Sequence, residues 1–139
     1  MKIREVNTVE DVMSLWKVED DVEAVLNLER GEWLQWLIAQ FQQEYRRVHI
    51  WVAEKEGAIV GYTVILNSVA PPVSSSMAIF YMWSVLLNAG EEELLLSHIR
   101  EWARRKGAST ITMTVKREDI GKYSGHGFSE QAVIMGLKL

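Results

Sequence analysis

The chain has 139 residues, close to the modal size of one domain, so we expect a single domain over residues 1–139. Apolar residues make up 48%, charged residues 24%, and only two residues are proline, which excludes an intrinsically disordered chain. The net charge is −4 and no basic cluster is longer than Arg104-Arg105-Lys106, which argues against nucleic acid or an anionic membrane as a partner.

Two further features narrow the chemistry and the compartment. There is no cysteine, which excludes disulfides, thiolate metal sites and cysteine nucleophiles. Lys2, Arg4 and Glu5 precede any apolar stretch, so we expect no secretory signal. The longest apolar stretch, from Met77 to Leu87, is far shorter than the roughly 20 residues of a membrane-spanning helix. These features predict a cytoplasmic protein.

The first third of the chain predicts a strand and two helices. Lys2 to Val6 is β-like, and Thr8 with Asp11 forms a start similar to a capping box. A first helix is predicted to end near residues 19–21, and the segment from Asp20 to Arg30 is ambiguous. A second helix is predicted from about Glu32 to Arg46. The apolar residues at helical spacing are Val9, Val12, Met13 and Trp16 in the first helix, and Trp33, Leu34, Leu37, Ile38, Phe41 and Tyr45 in the second.

A β-hairpin follows. Residues 48–53 and 58–66 are rich in β-branched and aromatic residues, and the polar turn from Glu54 to Gly57 separates them. The stretch from Asn67 to Ser76 contains both prolines and three consecutive serines, which predicts a loop. Ala78 to Val85 is apolar on both faces, as in a central strand that helices cover on each side.

The last third begins with the best-marked helix, from Glu91 to Lys106. Acidic residues lead it, basic residues end it, and Gly107 stands where a left-handed C-terminal cap is expected. A strand is then predicted from Thr110 to Val115, a short helix from Arg117 to Ser124 and a last strand from Ala132 to Leu139. The predicted order is β-α-α-β-β-β-α-β-α-β.

This element order resembles the GNAT superfamily of N-acetyltransferases over nearly the whole chain. Two local matches support the resemblance. Glu56-Gly57 through Gly61-Tyr62 is similar to the family's hairpin, and Tyr123 followed by Gly127-Phe128 is similar to its closing motif. The resemblance implies an α/β (α+β) fold with three α/β/α layers around a central mixed, mostly antiparallel sheet.

The resemblance also implies a cofactor and a place for it. In the family, acetyl-CoA enters a gap where the sheet splays after the central strand, and its pyrophosphate rests on backbone amides at a helix N-terminus. The residues of this chain that match this site are Trp83, Val85, Asn88, Ala89, Gly90 and Glu91.

The pyrophosphate loop departs from the family pattern Gln/Arg-x-x-Gly-x-Gly/Ala. An ungapped alignment places Leu87 at the Gln/Arg position, Gly90 at the first glycine and Glu92 at the second. Glu91, Glu92 and Glu93 then crowd the helix N-terminus. Acidic residues there complement the helix dipole, and they also repel a bound pyrophosphate. We therefore predict a degenerate acetyl-CoA motif, with acetyl transfer weakened or lost.

By the resemblance, Tyr123 is the candidate catalytic acid that protonates the departing thiolate of CoA. Packing against the end of the sheet is its alternative role, and Lys116 stands where the family often has an asparagine seven residues before this tyrosine. The candidates for the base are Glu29, Glu32 and His49, and Tyr81 or Ser84 could order a water. His126 is interpreted as a turn residue, and His49 and His98 lack partners at metal spacing, so no metal site is predicted.

Two functions from different classes stay open. The first is acyl-CoA-dependent N-acyl transfer to a small amine or a peptide N-terminus. The second is a non-catalytic interaction or structural module that uses the vacated cleft or the tryptophan-bearing helix face, for example in a larger assembly such as a phage particle. A homodimer or another protein is the expected partner in the second case. The fold alone does not choose between them.

Overall fold

The computed structural model describes residues 1–67 and 76–139. Within these residues, five strands form one sheet whose spatial order follows the chain. Neighbouring strands are antiparallel except for the last pair, which is parallel, so the predicted mixed, mostly antiparallel sheet is confirmed. The strands are β1 (Lys2–Glu5), β2 (Val48–Lys55), β3 (Ala58–Asn67), β4 (Ser76–Trp83) and β5 (Thr110–Met113).

The predicted hairpin is formed by β2 and β3, joined by a tight turn. Lys55 pairs with Ala58, so the loop is the two residues Glu56 and Gly57. Both have positive φ, 51° and 78°, which matches the right-handed twist of the strands and explains the need for glycine. The register shifts between Ala53 and Glu54, close to this turn.

Helices cover both faces of the sheet and bury two apolar clusters. α1 (Val9–Met13), α2 (Val22–Leu26) and α3 (Arg30–Phe41) pack on one face, and α4 (Ala89–Arg105) packs on the other. Successive strand residues point to opposite faces, so Ile50 and Val52 join the first cluster while Trp51 joins the second. The predicted three-layer architecture is confirmed.

The best-marked helix forms as predicted. Asn88 caps α4 and makes a reciprocal capping box with Glu91. At the other end, Arg104 and Arg105 lie in the last turn, and Gly107 takes a φ of 88°.

The predicted helices of the first third differ from those observed. The first predicted helix consists of α1 followed by a 3₁₀ turn over Ser14–Lys17, and the turn ends because Val18 is extended. The ambiguous segment contains α2, which ends at Asn27 in a left-handed conformation with φ of 54°. α3 runs over Arg30–Phe41 and is shorter than predicted, since Tyr45 is 81% exposed and offers no core contact to extend it.

The central and C-terminal elements are close to the prediction, with one exception. β5 and a short helical segment, a 3₁₀ turn over Arg117–Asp119 followed by α5 (Ile120–Ser124), lie where expected. Most of the predicted loop from Asn67 to Ser76 falls outside the described residues. The predicted last strand over 132–139 is wrong: residues 129–139 form no strand and are all exposed. An apolar alternating pattern indicates a need for burial, but a strand also needs a neighbour to pair with, and this segment has none.

Candidate functional site

A cleft opens where β4 outruns its parallel neighbour. β5 pairs with β4 only from Ser76 to Ile79, which leaves the last part of β4 without a partner on that side. The N-terminus of α4 and the helix α5 flank this gap. They enclose a cavity of about 290 Å³, here called the α4 cleft, lined by Leu87, Asn88, Ala89, Glu92, Lys122, Gly125 and His126.

Glu92 is the central group of the α4 cleft. It lies in the first turn of α4 and is only 2% exposed. Its Oε2 accepts a hydrogen bond from the Ser84 hydroxyl at 2.5 Å and lies 3.2 Å from Nζ of Lys122. Its Oε1 lies 2.7 Å from Nε2 of His126. A buried carboxylate is costly unless it is paired and hydrogen-bonded, and these three partners meet that requirement.

The cationic side of the cleft comes from α5 and the turn after it. Burial, the largest single influence, lowers the pKa of Lys122, but the hydrogen bond to Glu92 and the acidic groups around the ammonium together outweigh it, so the pKa is raised and this ammonium stays charged. His126 contacts a second carboxylate through Nδ1, which lies 2.7 Å from Oε2 of Glu93. That contact, together with Arg100, lowers the pKa of Glu93. The helix N-terminus and two basic side chains therefore surround one internal anion.

The three consecutive glutamates have different roles. Glu91 is half-buried on the capping side, where its carboxylate accepts the Asn88 N–H at 3.1 Å and pairs with Lys55. The Lys55 contact and then the Asn88 N–H lower the pKa of Glu91. Glu93 points to Arg100 at 2.8 Å and to His126. Glu92 alone of these three turns into the α4 cleft.

The predicted cofactor residues fall in two groups. Asn88 and Ala89 line the α4 cleft, and Gly90 follows them in the first turn of α4. Trp83 is 5% exposed and packs in the first core cluster, and Val85 is 75% exposed beyond the end of β4. No contact with a cofactor is present to test these six residues, so their role stays a prediction.

Leu87 occupies the position at which the resemblance expects a glutamine or arginine. It packs over Gly61 of β3, where an added Cβ would lie only 2.9 Å from Leu87 Cδ1 and 3.2 Å from the Trp83 carbonyl oxygen. The second glycine of the hairpin motif is therefore required by close packing. Leu87 also lines the α4 cleft, where its apolar side chain offers no polar group to an anion.

Tyr123, the predicted catalytic acid, lies on α5 next to the α4 cleft. Its ring packs edge-on against Phe128, with centroids 6.0 Å apart, and Nζ of Lys122 lies 5.3 Å from the ring centroid. Burial raises the pKa of Tyr123, with Glu92, Asp119 and Asp21 adding to the shift and Lys122 opposing it. A phenol with a raised pKa keeps its proton, as a proton donor must. The ring contact with Phe128 fits the alternative role of Tyr123 in packing.

The candidate base and water-ordering residues do not converge on one point. Tyr81 donates a hydrogen bond to Asp21, and Ser84 donates to Glu92. His49 lies in a different environment, 3.0 Å from the Asn67 amide and in ring contact with Trp102. Among the described residues, no group of three or more acidic or histidine side chains is placed to hold a metal ion.

The polar contacts of Asp20 and of His126 were not predicted from the sequence. Asp20 accepts a hydrogen bond from the Tyr62 hydroxyl at 2.5 Å and pairs with Arg30 at 3.0 Å, and Tyr62 also accepts from Trp33 Nε1 at 3.2 Å. His126 lies in a turn, as interpreted from the sequence, and its imidazole also bridges two glutamates. The neighbouring Gly125 and Gly127 indicated a turn, but nothing in the sequence indicated which way its ring points.

The fold is similar to that of several solved acetyltransferase structures. No protein-family model and no curated protein matches the chain. Solved structures do match it over nearly its whole length. The aminoglycoside acetyltransferase meta-AAC0020 from an uncultured soil metagenomic sample, solved with sisomicin, is 16% identical with a TM-score of 0.74, covering 99% of this chain and 95% of its own.

Two more matches are of the same kind. The aminoglycoside N-acetyltransferase AAC(6')-Iy, solved with CoA, is 14% identical with a TM-score of 0.77 and coverage of 99% and 93%. A possible acetyltransferase from Clostridium difficile 630 is 14% identical with a TM-score of 0.75 and coverage of 99% and 96%. In the part of the chain that the structure describes, no helix is both long and apolar enough to cross a membrane. The chain therefore has the GNAT-like fold that these acetyltransferases share.

Proposed function

We propose that this protein is a GNAT-fold relative of acyl-CoA-dependent N-acyltransferases in which the Glu92 carboxylate occupies the coenzyme's anion position, so that acetyl transfer is weakened or lost. The observation that carries the proposal is the buried Glu92 in the α4 cleft, satisfied by Ser84, Lys122 and His126. The Lys122 ammonium, the His126 imidazole and the helix N-terminus, which would hold a pyrophosphate, already hold this carboxylate.

Simple electrostatics gives the size of the effect. A carboxylate and one pyrophosphate charge about 5 Å apart repel by roughly 1 to 3 kcal/mol at an effective dielectric constant of 80 to 20. Each 1.4 kcal/mol is a factor of ten in affinity, so the expected loss is about tenfold to a hundredfold. A pyrophosphate would also have to displace Glu92 from its partners, which adds to the cost.

Residual activity would follow the family's chemistry. AAC(6')-Iy was solved with CoA and meta-AAC0020 with sisomicin. By analogy, the donor would be acetyl-CoA, and the acceptor a small amine or a peptide N-terminus. Tyr123 would then be the proton donor to the departing thiolate, since its raised pKa keeps the phenol protonated.

The test is a calorimetric titration of acetyl-CoA into the wild type and into Glu92→Gln. We expect weak or undetectable binding to the wild type and an affinity about tenfold or more higher for Glu92→Gln. Glutamine keeps the size of the side chain and can still accept from Lys122, but it removes the repelling charge. A ligand at a hundred times its Kd adds about 2.7 kcal/mol of stability, so a thermal-shift assay gives an independent readout.

Glu101→Gln is the matched control. Glu101 lies on the same helix and makes an exposed pair with Arg104, so the substitution makes the same change in net charge away from the cleft. It should leave acetyl-CoA affinity unchanged. Tight acetyl-CoA binding by the wild type, with no gain in Glu92→Gln, would contradict the proposal. A sizeable acetylation rate of the wild type that falls in Tyr123→Phe would show instead that the protein is an active acetyltransferase.

A second candidate function is a non-catalytic interaction module that binds a second copy or another protein. The observation that favours it is the exposure of apolar side chains in residues 129–139. Val133, Ile134, Met135 and Leu137 are between 67% and 91% exposed. A contiguous apolar patch of this kind marks an interaction site more often than ordinary surface.

A further inference from the structure

We propose that residues 129–139, here called the C-terminal arm, cover a groove beside β5 on a second copy of this chain, so that two copies exchange arms and form a homodimer. This inference deepens the second candidate function, on which it rests. Its test measures contact between chains and not acetyl-CoA binding. The homodimer and the proposed role of Glu92 can therefore be contradicted independently of each other.

The arm has the sequence of a strand but lacks a strand's environment. Large apolar side chains alternate along one side, at Val133, Met135, Leu137 and Leu139, and each is at least 67% exposed. Lys138 is the one charged residue after Gln131. Interfaces are poor in charged residues at their centre, so the arm has the composition of a buried segment.

The groove lies on the α4 side of the sheet and is distinct from the α4 cleft in most of its lining. Its volume is about 470 Å³. Its apolar lining comes from β4, β5 and α4, and belongs to the second core cluster or packs against it. The main apolar lining residues are Ile79, Leu96, Ile99, Ala103, Ile111 and Phe128.

β5 offers a place for the backbone of an added strand. Among the described residues it pairs with β4 alone, so its other edge presents unpaired N–H and C=O groups. Ile111 and Met113 are half-buried, and Thr110 and Thr112 are exposed. An added strand with apolar residues on one side would place them in line with Ile111 and Met113, over the groove. The alternation in the arm fits this requirement.

The path of the chain favours a second copy as the occupant over the same copy. Phe128 is fixed by its N–H bond to the Tyr123 carbonyl at 3.1 Å and by its ring contact with Tyr123. Only Ser129, Glu130 and Gln131 separate it from the apolar stretch. Ser129 and Gln131 lie at the groove, and the chain then leaves the body of the protein. This link contains no glycine, proline, asparagine or aspartate to reverse the chain tightly.

A two-fold axis makes the exchange reciprocal. Each arm leaves its own groove, so in a pair of copies each arm can cover the groove of the other. Exchange of identical elements between copies is a common route to symmetric dimers. The absence of cysteine in the chain makes the arrangement directly testable with introduced cysteines.

The first experiment mixes two single-cysteine chains, Thr112→Cys on β5 and Met135→Cys on the arm, and adds a short bis-maleimide cross-linker. With tags of different length on the two chains, we expect a cross-linked species that contains one chain of each kind. Met13→Cys, an exposed position on α1, replaces Met135→Cys in the control mixture and should give no such species.

A doubly substituted chain, Thr112→Cys with Met135→Cys, separates exchange from closure within one copy. Cross-linking inside one chain at high dilution, with no mixed species in the first experiment, would overturn the proposal.

Light scattering gives a second measurement. We expect a dimer for the full chain and a monomer for Met135→Asp with Leu137→Asp, with unchanged circular dichroism. A monomeric wild type at every concentration, or a dimer that survives both substitutions, would overturn the proposal as well.

Discussion

At the scale of single residues, His49 is a buried imidazole held neutral by its surroundings. It is 8% exposed and lies between β2 and α4, with its ring 4.9 Å from that of Trp102. Arg46 Nη2 lies 3.4 Å from its Nδ1. Burial, and then the charges of Arg46 and Lys106, lower its pKa from 6.5 to about 4. Oε1 of Glu5 lies 3.5 Å from Nδ1 of His49 and does not reverse the shift.

This shift predicts a loss of stability in mild acid. Because the pKa of His49 is lower in the folded state, the unfolded state binds the proton first as the pH falls below about 6.5. The stabilising contribution is therefore complete above pH 6.5 and is lost as the pH falls towards 4. Each pKa unit is worth about 1.4 kcal/mol, so we expect a loss of about 2 to 3 kcal/mol in the free energy of unfolding.

The measurement is urea unfolding of the wild type and of His49→Gln at several values between pH 7 and pH 4. His49→Gln removes the titrating group and keeps a polar side chain near the Asn67 amide. The wild type should lose more stability over this interval than the variant does. Parallel curves for the two proteins would show that His49 titrates with an ordinary pKa.

The same scale explains what could not be predicted about the candidate site. From the sequence, Glu91, Glu92 and Glu93 were predicted to crowd the N-terminus of a helix, with Glu92 at the second glycine position of the pyrophosphate loop. Successive helical side chains point about 100° apart, and Glu92 shares a face with the buried Leu95, Leu96 and Ile99, but this pattern does not say which groups would satisfy its carboxylate there. That depends on where Ser84 and Lys122 come to lie, and these residues belong to other elements.

At the scale of elements, the helices and strands that were predicted correctly are those whose sequence signals lie within or beside them. The hairpin and α4 were predicted because a positive-φ glycine, a capping residue and a charged first turn all lie within the element or next to it. The first third was divided wrongly, because α1 ends at Met13, the 3₁₀ turn after it ends where Val18 extends, and α2 ends at a left-handed Asn27. Asparagine commonly ends helices in this conformation, so Asn27 was a local signal, whereas the buried Val18 carries none and its end depends on tertiary packing.

The capping box of α4 gives the prediction at this scale. The Asn88 side chain accepts the Glu91 N–H at 2.8 Å, and Glu91 returns a contact to the Asn88 N–H. Asn88→Ala removes the first of these bonds and leaves a helix donor without its partner. We expect a loss of about 1 kcal/mol in the free energy of unfolding, measured by urea denaturation.

Asn88→Asp is the control for this prediction, since aspartate caps a helix as well as asparagine does. It should keep stability near that of the wild type. If Asn88→Ala and Asn88→Asp lose the same amount, the effect comes from the lining of the α4 cleft and not from the cap.

At the scale of the whole molecule, the sequence indicated the fold but not the position of its last segment. The pattern from Ala132 to Leu139 is that of a strand, and its apolar side chains are instead exposed. Such a pattern indicates that the segment becomes buried, but it does not indicate which chain covers it. Exchange between two copies satisfies the same pattern as closure within one copy, so sequence alone does not separate them.

The energetics of exchange predict a dimer whose stability depends on concentration. Burying one large aliphatic side chain contributes about 1.5 to 3 kcal/mol. If about half of the eight side chains on two arms (Val133, Ile134, Met135 and Leu137 on each) become fully buried, the gain is roughly 6 to 12 kcal/mol. Association costs on the order of 4 to 15 kcal/mol, so the surplus is small and the monomer is populated on dilution.

We therefore expect the thermal midpoint of the full chain to rise with protein concentration. Linkage gives about 1.4 kcal/mol per mole of dimer for each tenfold increase. Calorimetric scans from low to high micromolar concentration measure this rise, and the chain with Met135→Asp and Leu137→Asp should show a constant midpoint. Met13→Asp introduces a charge at an exposed apolar position on α1, away from the arm, and should keep the concentration dependence of the wild type. A midpoint that is constant for all three chains would mean that the arm stays uncovered in solution.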